Sequence, residues 1–121
     1  MIIKNKANGK VLASNVILCE SFIDRCRGLM FRKISESDSC ILINSNESVF
    51  ESSIHMMFVP QDLEVVWADE DLRVVDVKKC KKGSLNPLTW RTYKPRKAAK
   101  YVIELLNAKG TLKGDRLQFI K

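Results

Sequence analysis

Histidine is almost missing from this sequence. His55 is the only one, so no two-histidine metal site can form and any imidazole base must be that residue. Cysteines stand at 19, 26, 40 and 80, too far apart for the Cys-x-x-Cys spacing of structural zinc and thioredoxin-type sites. Cys19 and Cys40 fall in apolar, strand-like segments, where a thiol fills space as a small hydrophobe, and a disulfide framework is not expected. No apolar run approaches the roughly 20 residues of a membrane helix. The lysine-bearing start, M-I-I-K-N-K-A-N-G-K, is not followed by the apolar block of a secretion signal, so a cytoplasmic location is expected. G-x-S-x-G elbows, Walker loops, dinucleotide glycine motifs and H-E-x-x-H are all missing, and neither a cofactor nor a metal is expected.

Charge is lacking in a patterned way. Nine acidic residues and no Lys or Arg lie between Ile34 and Leu72, whereas nine basic residues and no Asp or Glu lie between Lys78 and Lys100. A net charge of +7 is thus unevenly laid out, and the resulting field attracts an oppositely charged partner in a manner that salt weakens.

What is present is one ordinary globular composition over 121 residues, enough for a single domain, 1–121, with its own core. Its apolar centre is Ile54 to Ala68. Leu63, Val65 and Trp67 alternate with Asp62, Glu64, Val66 and Ala68, as on a half-buried strand, and Pro60 separates this run from a first one containing Ile54, Met56 and Phe58. Upstream, Ile2 to Lys4 and Val11 to Glu20 read as a hairpin about Asn8-Gly9. Ser21 caps a short helix ending near Met30, and Cys40 to Ile43 reads as a short buried strand. Downstream, Asp69-Glu70-Asp71 turns into a strand over Arg73 to Lys79, and a long loop runs from Lys81 to Ala98. Ala99 to Leu106 and Arg116 to Ile120 then return to strand, with Tyr101, Ile103 and Leu105 sharing a side. The sum is a mainly β fold, a compact barrel or sandwich of about seven or eight short strands with one short helix in the N-terminal half.

Five blocks in this order resemble the domain of unknown function 192 family. They are Gly28-Leu29-Met30-Phe31-Arg32, Ile54-His55-Met56 followed by Glu64-Val65-Val66-Trp67, Pro87 to Pro95 with Trp90 and Tyr93, Tyr101 to Leu105, and Gly114-Asp115. The match departs from the family pattern in the second block, where Glu64 stands for the usual aspartate and Asp62 for the usual proline. The resemblance implies a compact, mainly β fold with a small helical element and assigns no activity.

The residues support two functional readings. In the first, the chain is a non-enzymatic binding or accessory module. Lys81, Lys82, Arg91, Lys94, Arg96 and Lys97, interleaved with Trp90 and Tyr93, then meet an anionic partner, a nucleic acid or other polyanion or an acidic protein surface. In the second, the chain is a small-molecule enzyme or binder with a pocket around Arg32, His55 and Glu64. Glu64 or Asp62 would orient the imidazole, and the Arg32 guanidinium would fork onto a carboxylate or phosphate. A structural role competes for Arg32, pairing with Glu64 or Glu104 to stitch the helix to the sheet. Self-assembly through the acidic and basic strips is a third possibility.

Overall fold

Ten strands and one helix follow one another in the computed structural model, which describes residues 1–83, 86–89 and 91–121, with Phe22 and Thr89 described in their backbone only. In chain order they are β1 (Ile2–Asn5), β2 (Val11–Ala13), β3 (Asn15–Cys19), α1 (Phe22–Arg27), β4 (Asp38–Ser48) and β5 (Ile54–His55). Then come β6 (Leu63–Ala68), β7 (Val74–Cys80), β8 (Thr92–Tyr93), β9 (Ala99–Leu105) and β10 (Leu117–Ile120). Five strands form the main sheet in the order β3-β4-β9-β6-β7, three form a second sheet, β10-β1-β2, and β5 pairs with β8 alone.

The central strands of the main sheet are buried on both faces, and the period of two along them decides which residue goes where. Ile41, Val66, Ala68, Ile103 and Leu105 meet Ile3, Leu12 and Leu117 of the three-stranded sheet. On the opposite face Cys40, Leu42, Leu63, Val65, Trp67 and Val102 are covered by the segment after α1, through Leu29 and Ile34, and by Ile54, Met56 and Val59. Side chains such as Leu63 and Ile103 are almost wholly removed from water, each stabilising the fold by roughly 2 kcal/mol relative to exposure. Trp67 is fully buried, and its indole N–H donates to Ser52 O at 2.7 Å, so the largest core residue leaves no polar atom unsatisfied.

These partners explain where the fold departs from the sequence reading. The sheets do not close into a barrel: each face of the main sheet is covered by a different layer, which makes the arrangement sandwich-like and leaves β3 and β7 as edges. The strand expected over Val11 to Glu20 divides at Ser14, where the amides of Ser14 and Asn15 both donate to Ser37 O (2.9 and 3.0 Å). The first part stays with β1, and the second crosses to pair in parallel with β4. The short strand expected at Cys40 to Ile43 is the eleven-residue β4, since Asn44 stays in the strand by bonding Ser52 Oγ at 2.8 Å. Of the first apolar run in the centre, only Ile54–His55 is strand, because Phe58 turns the chain at φ 56°.

Candidate functional site

Glu104 is the odd residue of β9. Alternation sends it with Val102 to the face covered by α1 and the segment after it, where it sits opposite Cys40 on one side and Val65 on the other. It is 3% exposed, and among the described residues its carboxyl takes part in no hydrogen bond or ion pair. Burial pushes its pKa up to about 8, and the neighbouring Cys19 adds to the displacement. Thiols surround it. Cys19 Sγ lies 3.1 Å from Cys40 Sγ, an interaction that lowers the Cys19 pKa and, with burial, raises that of Cys40. Burial raises the Cys80 thiol to about 12.

Above Glu104 the helix ends. Ser21 Oγ accepts from Asp24 N at 3.1 Å, and the last turn closes with Gly28 N on Asp24 O at 2.9 Å. Gly28 takes φ 44° and ψ −120°, a conformation that side chains rarely adopt, and a Cβ there would stand 3.0 Å from Glu104 Oε1. Glycine is needed on both counts, and its missing side chain is the space beside the acid.

That space opens into a cavity of about 290 Å³. Leu29, Leu42, Ile54 and Val59 give it apolar walls, Glu104, Glu51, Arg25 and Arg27 bring charged groups to it, and Ser53 and the exposed Phe50 complete its lining. Arg25 Nη1 donates to Asn44 Oδ1 at 3.0 Å, whereas its Nε is buried with no hydrogen-bond partner. Phe50 is 88% exposed, an unpacked aromatic beside an apolar recess. The pocket thus offers an apolar body site with one buried unpartnered donor, Arg25 Nε, and an unpaired carboxyl that borders the cavity.

Of the candidate pocket residues Arg32, His55 and Glu64, only His55 lines this cavity. Its Nδ1 accepts from Met57 N (3.3 Å), so Nε2 carries the proton and donates to Cys26 O at 3.1 Å. The ring clamps the end of α1 to β5 with both nitrogens engaged by backbone. Glu64 lies elsewhere: its Oε1 accepts from Ala108 N at 3.1 Å, and it borders a separate recess with Asp62, Lys79 and Lys81. Arg32 is solvent-exposed and pairs with neither Glu64 nor Glu104. The expected stitch is replaced by the contact of Gly28 with Glu104, because Phe31, at φ 59°, carries the chain outward before Arg32. The structure therefore does not assemble Arg32, His55 and Glu64 in one pocket. No group of three or more His, Cys, Asp or Glu among the described residues is placed to hold a metal.

The basic loop is tied down by acids. Asp62 Oδ1 accepts from Lys82 N at 2.8 Å and Asp76 Oδ2 from Arg96 N at 3.0 Å, so these carboxylates hold the backbone and leave the cationic ends outside. Lys81, Lys82, Arg91, Lys94, Arg96 and Lys97 are exposed. Tyr93 packs against the core and its hydroxyl oxygen accepts from Lys81 N at 3.1 Å, which spends its ring on structure. Trp90 lies outside the described residues.

The family model described as an uncharacterised ACR, the domain of unknown function 192, matches residues 3–119. The chain belongs to this family. Curated UPF0127 relatives include one from Thermococcus kodakarensis, 39% identical over 103 residues that make up 85% of this chain and 60% of that one. Another, from Pyrococcus abyssi, is 33% identical over 123 residues, 98% of this chain and 97% of that one. The chain spans about 60% of the length of the Thermococcus relatives it matches. A solved protein of unknown function from Novosphingobium aromaticivorans shares the fold at TM-score 0.78 and 15% identity, covering 98% of this chain and 82% of that one.

Seen on this UPF0127 fold, the blocks that carried the resemblance divide by role. In the G-L-M-F-R block, Gly28 makes room for Glu104, Leu29 enters the core, and Phe31 stacks on Phe58 with ring centroids 4.8 Å apart. Asp115 of the closing block accepts from Asn5 Nδ2 at 3.0 Å and Leu112 N at 2.8 Å, joining the last turn to β1. In sequence Glu104 reads only as a structural partner for Arg32, although an acid inside the apolar run Val102-Ile103-Glu104-Leu105 is itself a signal. Arg25 and Asn44 carry none.

Proposed function

We propose that this protein is a small-molecule-binding module whose site is the cavity between α1, β4, β5 and β9. The observation that carries the reading is the Glu104 carboxyl, 3% exposed, without a partner among the described residues, and bordering an apolar recess large enough for a small organic ligand. Acids this deeply buried are rarely left unpaired, and desolvating one costs free energy that a merely structural core would avoid by placing leucine there. The unpartnered Arg25 Nε supports the same reading. Screening small polar fragments by saturation-transfer NMR tests it: binders of the wild-type protein are expected to be lost in Ser53→Trp, which fills the mouth without touching Glu104. Binders unaffected by that substitution would place the site elsewhere.

A second reading, an anionic partner met by the basic loop, is favoured by one observation: none of the six exposed cations of the loop has an ion-pair partner among the described residues. Replacing Lys81, Lys82, Arg96 and Lys97 with alanine is expected to weaken binding to a heparin column and to flatten its dependence on salt. Weak, salt-independent retention of the unmodified protein would sink it.

A further inference from the structure

We infer that the ligand of this pocket is a small organic cation, an aliphatic ammonium or amidinium group on an apolar body, which seats its charge against Glu104. This assignment rests on the pocket reading above and gives the chemistry of its ligand.

Glu104 lacks the partner that its position demands. An acid buried to this degree ordinarily faces a cation, and each cation of the chain near the cavity is otherwise disposed. Arg25 donates through Nη1 to Asn44 and, despite its free Nε, forms no ion pair with Glu104. Both ring nitrogens of His55 are engaged by backbone, Nε2 with Cys26 O and Nδ1 with Met57 N. Arg27 and Arg32 are exposed. Cys40 of β4, Cys19 of β3 and Cys80 of β7 face Glu104 with neutral or negative sulfur, and Val65 of β6 is apolar. Arg25 and Arg27 line the cavity, yet no cation among the described residues pairs with Glu104, and the ligand supplies that partner. Leu29, Leu42, Ile54 and Val59 select the body behind that charge, an unbranched or singly branched hydrocarbon chain rather than a polyhydroxylated one. Arg27 and Glu51, which also line the cavity, are exposed and screened by solvent, whereas an anion beside the ionised form of Glu104, the form above pH 8, would be repelled.

Binding a protonated amine requires Glu104 in its ionised form, and the proton it holds must leave to solvent as the ligand enters. Because burial holds that carboxyl near 8, amine affinity rises about tenfold per pH unit below pH 8 and levels off above it. A neutral hydrogen-bonding ligand shows the reverse or no trend.

Three probes of one shape decide the matter: isopentylamine, isopentanol and isovalerate, titrated into the nitrogen-15-labelled full chain and followed through the amides of Gly28, Leu29 and Ile54. At pH 8.5 the amine, still protonated as an alkylammonium, is expected to bind at least about tenfold more tightly than either analogue, and to weaken about tenfold from pH 7 to pH 6. Glu104→Gln is expected to abolish both the preference of the amine over its analogues and the pH dependence of amine binding. The pH series on the unaltered protein stands even if that variant fails to fold. Equal binding of the three probes overturns the cation assignment and leaves the pocket reading intact; no response of those amides to any probe overturns both.

Discussion

Replacing Glu104 by glutamine is expected to stabilise the fold by about 3 kcal/mol at pH 7 and by almost nothing at pH 4. The sign follows from the protons bound. The carboxyl has a pKa near 4.5 when unfolded and about 8 when folded. Below the lower value it is protonated in both states and contributes no pH dependence. Between the two, the folded chain holds a proton that the unfolded chain has released, so stability falls as pH rises, by about 1.4 kcal/mol per unit. Above 8 the loss is complete and the curve levels. Glutamine keeps the shape and removes the titration, so the difference between the two urea-unfolding profiles isolates this one group. A difference that does not change from pH 4 to pH 9 would mean that Glu104 is paired or hydrated in solution.

This cost bears directly on function. A protein gives up stability at a buried, unpaired acid where another gain compensates, and binding of a ligand to the folded state alone is such a gain. Glu104 differs in this respect from the other acids that stand out in the chain. Glu64, Asp62 and Asp76 all accept from backbone N–H groups, which makes them structural. Of these four, only Glu104 combines burial with an open side.

The fold was legible in the sequence where neighbours along the chain decide the structure. Leu63, Val65 and Trp67 share a face as their alternation demands, Tyr101, Ile103 and Leu105 another, and Ser21 caps the helix it precedes. It was not legible where a distant partner decides. Val11 to Glu20 reads as one strand, yet its two halves belong to different sheets because Ser37 captures the amides at the break. Strand β6 looked half-buried and is covered on both faces, since nothing local announces the second layer. For the site, Glu104 stood in plain view as an acid in an apolar run. Its importance lies in having no partner, a property of the packed chain that no spacing encodes.

A second large effect is expected at Gly83, at the base of the basic loop. A Cβ on this residue would fall 1.8 Å from the carbonyl oxygen of Met56 and 2.7 Å from its carbonyl carbon, both backbone atoms of a fully buried residue. No rotamer change relieves that overlap, so one backbone or the other must move, breaking the bond of Gly83 N to Val59 O at 3.0 Å. Gly83→Ala is therefore expected to destabilise by about 3 kcal/mol, lowering the thermal midpoint by about 10 °C. Gly9 provides the comparison: at φ +75° with nothing within 4 Å of its Cβ position, Gly9→Ala costs only the left-handed strain of about 1 kcal/mol. The larger loss at Gly83 would also reach the pocket. Met56 N donates to Arg91 O at 3.1 Å and His55 pairs with Thr92, so the loop base, β5 and the imidazole that clamps α1 are one connected unit. Loosening it is expected to broaden the amide signals of Ile54 and Gly28 as well as those of the loop. Equal costs at Gly83 and Gly9 would mean that the loop does not pack on Met56, and the cavity would lose the wall that β5 gives it.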